Sequence, residues 1–176
     1  MGIVNTSPDS FSDGGQVVGA DDAIAAGMAM HAAGADIVDV GGDSTRPHAR
    51  ATPVEIEQAR VLPVIEALAA AGLTVSVDTR NASTMVAALA AGARIVNDVS
   101  GLTHDPDAAA VIASSGCPVI VMHMRGTPVT MTALARYDDV AVDVTRELEA
   151  RVEAAETAGI ARDNIAIDPG IGFAKG

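Results

Sequence analysis

The chain has 176 residues, only 2% aromatics and a formal net charge of −12. That balance argues against a nucleic-acid backbone or an anionic membrane as partner, since both call for a basic face. The single cysteine, Cys117, excludes an internal disulfide, and no apolar run is long enough to span a bilayer, so a soluble cytoplasmic protein is expected.

Short apolar strands alternate with helices along the chain. The run Gly2-Ile3-Val4 reads as the first strand, and Asn5 opens the polar loop that follows it. That loop, N-T-S-P-D-S-F-S-D-G-G, carries two carboxylates, several hydroxyls and one aromatic, Phe11, and reads as a lid over a ligand. A helix is expected over 20–33, with Ile24, Met28 and Ala32 on its buried face, then a strand over 37–40 closed by Gly41 and Gly42. The next helix, over 54–71, sets Ile56, Val61, Ile65 and Leu68 on one stripe, and Pro63 should bend or break it. Strands follow at 73–78, 94–98, 118–123 and 165–168, with helices at 83–91, 107–114 and 137–158 between them. The last helix carries Val140, Val144, Leu148 and Val152 on one stripe.

Strand–helix alternation with apolar strands predicts a parallel sheet covered by helices, an α/β fold. Asn5, Asp78, Asn97-Asp98, His123 and Asp168 each end a different strand, and Asp43 lies just past the end of another. Polar groups at every strand end favour a (β/α)8 TIM barrel over a doubly wound sheet. Six βα units are present where that barrel has eight, so residues 1–176 read as one barrel domain, incomplete at its C-terminal end.

Alternate residues of a strand share a face. Ser76 points with Asp78, Ile95 with Asn97 and Val99, and Ile120 with Met122. The expected pocket therefore has an apolar floor of Val99, Ile120 and Met122, with Asp78, Asn97 and Asp168 converging on it. A carboxylate accepts two neighbouring N–H groups of an aminopyrimidinone edge as a fork, and an amide both donates and accepts. This set suits a planar, donor-rich heterocycle better than a metal. The competing reading is that each Asp caps the helix after its strand. Arg46 offers a fork for a phosphate or carboxylate. His123 is either a catalyst or a structural strand-end histidine. Asp39, mid-strand, is expected to be buried, and Cys117 to sit in the core. His31, His48 and His104 lack metal-ligand spacing.

The motifs M-G-I-V-N-T-S-P-D-S-F-S-D-G-G, G-G-D-S-T-R-P, V-S-V-D-T, V-N-D-V-S-G, M-H-M-R-G-T-P and D-P-G-I-G-F-A-K occur in this order across essentially the whole chain. They strongly resemble those of dihydropteroate synthase, a family of pterin-binding barrels. The resemblance implies condensation of 6-hydroxymethyl-7,8-dihydropterin diphosphate with 4-aminobenzoate, with Mg2+, in the folate-pathway step that sulfonamides block. It also implies a homodimer for the full-length form. Residue by residue, it makes Asp78, Asn97 and Asp168 pterin-edge ligands and Val99 and Met122 the pocket wall. Asn5 would lie near Mg2+ and diphosphate. Thr45 and Arg46 would meet diphosphate, with Pro47 beside the aminobenzoate. Phe11, Ser12 and Asp13 would close over the reacting carbon, where Asp13 stabilises the developing cation.

The chain departs from the family pattern at Thr6-Ser7 (usually Val-Thr), Asp43 (usually Glu) and His48 (usually Gly). The family's later strand-end Lys, and its final Arg and His, have no counterpart within these residues. The expectation is thus a truncated synthase with weak or no turnover of its own. The alternatives are a methyltetrahydrofolate-type methyltransferase, against which the first two loops speak, and a non-catalytic pterin-binding fragment.

Overall fold

The computed structural model describes residues 1–6, 19–43, 52–127 and 129–175. Six strands run in chain order: β1 (Gly2–Asn5), β2 (Ile37–Gly41), β3 (Thr74–Asp78), β4 (Ile95–Asp98), β5 (Val119–Met122) and β6 (Ile165–Asp168). The helices between them are α1 (Ala20–Ala32), α2 (Val54–Ala70), α3 (Ala82–Ala90), α4 (Ala108–Ser115) and α5 (Val140–Thr157). The strands form one sheet in the order β1-β2-β3-β4-β5-β6, with parallel pairing of β1 to β2, β2 to β3 and β5 to β6. Sequential, parallel neighbours each joined through a helix are what repeated βα units produce. Two short 3-10 turns, Met131–Leu134 and Arg162–Asn164, are additions that the sequence pattern does not announce.

The chain divides into two compact units, the first ending at Val96 and the second running on from Asn97 within the same strand. The first holds β1, β2, β3, α1, α2 and most of α3; the second holds β5, β6, α4 and α5.

In the first unit the strands bury a valine row, Val4, Val38, Val40, Val75 and Val77, on the face that meets α1 and α2. Gly2 lies on that face, where a Cβ would come within 2.8 Å of the Met30 sulfur on α1. The helix α1 does not bury the predicted stripe. Met28 is 41% exposed and Ala32 is exposed, while Ala23 and Gly27 are the buried positions. The reason is close approach: the Leu68 side chain of α2 occupies the space that a Gly27 Cβ would take, at 2.8 Å. Small residues, not large ones, mark the contact.

Helix α2 buries Val61, Val64, Ile65 and Leu68 together with Glu57, but Ile56 faces out at 45% exposure. It also runs without interruption through Pro63, against expectation. Pro63 and Ala59 are both exposed, so the carbonyl that loses its i+4 donor can be hydrated.

In the second unit α5 starts three residues later than the periodicity suggests. Asp139 caps it, accepting from the N–H groups of Ala141 (3.0 Å) and Val142 (3.2 Å). Val144 and Leu148 are buried as expected, Val140 is 46% exposed, and Asp143 takes its place inside. Helix α4 ends on Gly116, whose φ of 66° is the left-handed cap that a glycine adopts without strain. Cys117 is half-buried rather than core, with Ser115 Oγ 3.2 Å from its sulfur.

The α1–α2 contact gives a paired expectation. Leu68→Ala should cost about 2–5 kcal/mol, because a fully buried leucine leaves a cavity over Gly27. Adding Gly27→Ala should be more favourable in the Leu68→Ala background than in the parent, since the clash has gone. Urea unfolding of the four proteins measures the coupling, and equal effects in both backgrounds would contradict it.

Candidate functional site

Three strand ends in the first unit make one row. The register pairs Asn5 with Gly41 and Gly41 with Asp78. Gly41 has no side chain, and a Cβ there would sit 3.4 Å from Asp78 Oδ2 and 3.5 Å from Asn5 Oδ1. The result is an open notch flanked by an amide and a carboxylate. A glycine inside a strand commonly marks such a close approach, and this one completes the row that sequence reasoning drew only from polar residues. Behind it, Gly42 presses on α2, where a Cβ would meet Val61 at 2.8 Å. Thr6 ties the row together by donating its N–H (2.8 Å) and its hydroxyl (3.0 Å) to the Gly41 carbonyl.

Asp39 is buried, as expected, and shares a row with Ser76 one step deeper in the strands. The Ser76 hydroxyl is fully buried and makes no hydrogen bond among the described residues. Glu57, also buried, accepts from the hydroxyls of Thr79 (2.8 Å) and Thr84 (2.7 Å). That pair of bonds fixes the start of α3 to α2.

In the second unit the pleat separates two neighbours. Asp98 lies on the buried side of β4, and its carboxylate accepts from Ser100 N (2.7 Å), Ser100 Oγ (2.6 Å) and Leu102 N (3.1 Å). Burial nevertheless raises its pKa, since those bonds offset only part of the desolvation. Asn97, on the opposite side, stays half-buried. Val99 and Met122 meet in one apolar cluster with Met124, Met131 and Ala174, so the two predicted wall residues do come together. Ile120 is only half-buried and is absent from that cluster.

Asp168 ends β6 opposite Met122. Its Oδ1 accepts from Gly170 N at 2.7 Å, while Oδ2 makes no hydrogen bond among the described residues. Asp168 caps no helix among the described residues; one of its oxygens shapes the turn that follows β6.

His123, one residue beyond β5, is fully buried. Its Nδ1 lies 2.8 Å from Lys175 Nζ, and its Nε2 2.8 Å from Glu147 Oε2. An ammonium can only donate, so Nδ1 accepts and Nε2–H donates to the carboxylate. The imidazole is therefore neutral, and its pKa is lowered, chiefly by burial and then by the cations Lys175 and Arg151. Glu147 also receives Arg125, through Nε at 3.1 Å and through a very short contact from Nη2. Arg125, followed by His123, holds the Glu147 pKa down at about 2. Arg125 stacks over the Tyr137 ring at 3.9 Å. Arg151 donates to the carbonyls of Met122 and Met124 (2.6 Å to the latter), bracing the chain on either side of His123.

A family model described as "Pterin binding enzyme" matches residues 1–176. The chain belongs to the pterin-binding enzyme family. It is 47% identical to dihydropteroate synthase of Mycobacterium leprae, over 99% of this chain and 62% of that protein. Among solved structures, the Xanthomonas albilineans dihydropteroate synthase with 4-aminobenzoic acid superposes with a TM-score of 0.90 at 48% identity. The match covers 99% of this chain and 62% of that one. The Yersinia pestis dihydropteroate synthase with a sulfonamide drug gives a TM-score of 0.93 at 41% identity, over 99% and 64% of the two chains. The chain thus spans a little over three-fifths of each of these three relatives. Its six strands and the five helices between them are those of a pterin-binding (β/α)8 barrel.

Of the pterin-site residues expected from sequence, Asp78, Asn97 and Asp168 each lie at or next to a strand's carboxyl end, as does Asn5. Phe11, Ser12, Asp13, Thr45, Arg46 and Pro47 lie outside the described residues. Sequence reasoning missed Lys175, Glu147, Tyr137 and Arg151 around His123. No local spacing announces them: Glu147 and Lys175 lie 24 and 52 residues from His123.

The charge pattern fixes a pH response. Glu147 is depressed from 4.5 to about 2, so the stability it contributes is present above 4.5 and is lost as pH falls towards 2. His123 acts in the same direction: below 6.5 the unfolded state takes up a proton before the folded state does. Denaturant unfolding should show stability falling from near-neutral pH into acid. Glu147→Gln should flatten the part below 4.5. An unchanged slope in that variant would contradict the assignment.

Proposed function

We propose that this chain is the larger part of a dihydropteroate synthase. It would join 6-hydroxymethyl-7,8-dihydropterin diphosphate to 4-aminobenzoate in folate biosynthesis, the step that sulfonamides block. The observation that carries the reading is the placement of Asp78, Asn97 and Asp168 at the ends of three strands, in a chain whose full length matches named synthases. In the reaction the carbon–oxygen bond to diphosphate breaks and its electron pair leaves with diphosphate. The aminobenzoate nitrogen forms the new carbon–nitrogen bond, and its proton passes to solvent.

Asp78, Asn97 and Asp168 take the pterin edge, against the wall formed by Val99 and Met122. Phe11, Ser12 and Pro47 take the aminobenzoate. Asp13, Thr45 and Arg46 act at the methylene and the diphosphate, with the first loop excluding water during cation formation.

Mg2+ would sit at Asn5. Among the described residues no group of three His, Cys, Asp or Glu side chains could hold a metal ion. One amide oxygen beside the Gly41 notch nonetheless suits Mg2+, which takes few protein ligands and draws the rest from water and substrate phosphate. Bound there, it supplies charge neutralisation of the diphosphate. A homodimer and a cytoplasmic location belong to the same reading. No helix among the described residues is long and apolar enough to cross a membrane.

The decisive assay, run on the whole synthase of which this chain is proposed to be the larger part, supplies pterin diphosphate, 4-aminobenzoate and Mg2+ and follows dihydropteroate and diphosphate together. Equal yields of both are expected, and diphosphate without dihydropteroate, or neither, counts against the proposal. Asp168→Ala should leave the fold intact but weaken pterin binding by about 1–3 kcal/mol, roughly 5- to 150-fold, because ring N–H groups lose their acceptor. Calorimetric titration with 6-hydroxymethylpterin checks this, and an unchanged affinity refutes the assignment of Asp168.

A further inference from the structure

The turn that follows Asp168 is fastened to one residue at both ends. At its start, His123 N donates to the Asp168 carbonyl at 2.9 Å. Gly170 then crosses directly over β5: at its φ of 65°, a Cβ would lie 2.2 Å from the His123 carbonyl oxygen. At its end, Lys175 Nζ donates to His123 Nδ1 (2.8 Å), the His123 carbonyl (3.2 Å) and the Phe173 carbonyl (2.8 Å). An ammonium has three N–H donors, and here each has an acceptor.

The fastening is closed on itself. His123 passes to Glu147, Glu147 to Arg125, and Arg125 stacks on Tyr137. The Tyr137 hydroxyl returns to the Ala174 carbonyl at 2.6 Å, next to Lys175. Ala174 itself holds a φ of 51°, a strained value for a residue with a Cβ. Surrounding contacts must impose such a conformation. What the turn delivers is the position of Gly170 N, and Gly170 N orients the Asp168 carboxylate through Oδ1 at 2.7 Å.

We propose that Lys175 is a positioning residue for Asp168: its three donated bonds clasp the 168–175 turn so that Asp168 Oδ2 faces the ligand. The proposal rests on the reading of Asp168 as a pterin ligand. Removing the ammonium should leave the strands in place while the carboxylate loses its fixed aim. The same ammonium sits near enough to Asp168 to interact with its charge.

The test is a double-mutant cycle in the full chain, read as the dissociation constant of 6-hydroxymethylpterin, with far-UV circular dichroism to confirm folding. Lys175→Met should weaken binding about tenfold, the loss of an oriented charged acceptor. Asp168→Ala should weaken it at least as much, and the double variant no further than Asp168→Ala alone. A residue that acts on binding independently of Asp168 would instead give losses that multiply, and one that only stabilises the fold would leave the affinity of the folded protein unchanged. Lys175→Arg, which keeps the charge but not the compact three-way fork, should recover part of the affinity. Should Lys175→Met fail to fold, Lys175→Gln carries the same cycle. Unchanged affinity in a folded Lys175 variant, or multiplying losses, overturns the clasp and leaves Asp168 as a ligand. No loss in Asp168→Ala overturns the pterin-site reading and the clasp with it.

Discussion

His123 is shut away from water between an ammonium and a carboxylate, and much of the second unit can be understood from what keeps that imidazole neutral. A buried charged ring would need compensation that an apolar cluster of methionines and alanine does not provide. Lys175 therefore supplies the donor at Nδ1, and Glu147 takes the proton at Nε2. Glu147 needs a countercharge of its own, which Arg125 gives, and Arg125 is held flat by Tyr137. Each partner comes from a different segment: the end of β5, the loop beyond it, α5 and the turn after β6. One neutral ring thus sets where four segments meet.

The first unit uses the opposite device. It has a buried carboxylate, Glu57, met by two hydroxyls, and its strand ends are spaced by a glycine. Thr79 and Thr84 each give Glu57 a hydroxyl donor. Gly41 then leaves room between Asn5 and Asp78. A larger residue there would fill the notch without touching the core, since the valines of β2 face the other way.

The sequence made the alternation of elements plain, because short valine- and isoleucine-rich runs between glycines and prolines admit few other readings. Helix faces were harder. The pattern rule looks for large apolar side chains, but α1 buries Ala23 and Gly27 and turns Met28 outward. Close helix contact selects for the absence of bulk, and absence leaves no period in a hydrophobicity pattern. Pro63 misled for a related reason, since its lost bond falls on an exposed stretch of α2 where water replaces it. The strand-end residues were legible because period two fixes their direction. The His123 network was not, because it joins residues whose nearness depends on the order of the strands.

That same period explains how one short motif serves two purposes. In V-N-D-V, Asn97 and Asp98 are adjacent and must point to opposite sides of β4. Asp98 goes to the buried side, where Ser100 and Leu102 occupy both of its oxygens and the chain turns towards α4. Asn97 goes to the other side, half-buried at the strand end. Exchanging the two residues would put an amide where three donors need an acceptor, and a carboxylate where the proposed pterin edge would meet both a donor and an acceptor. Asp168 has no such neighbour to share the work. In the proposed site it divides the two tasks between its own oxygens, Oδ1 holding the turn and Oδ2 left to take the ligand. A residue with divided duties needs its turn held from outside, which is the role proposed for the lysine seven residues further on.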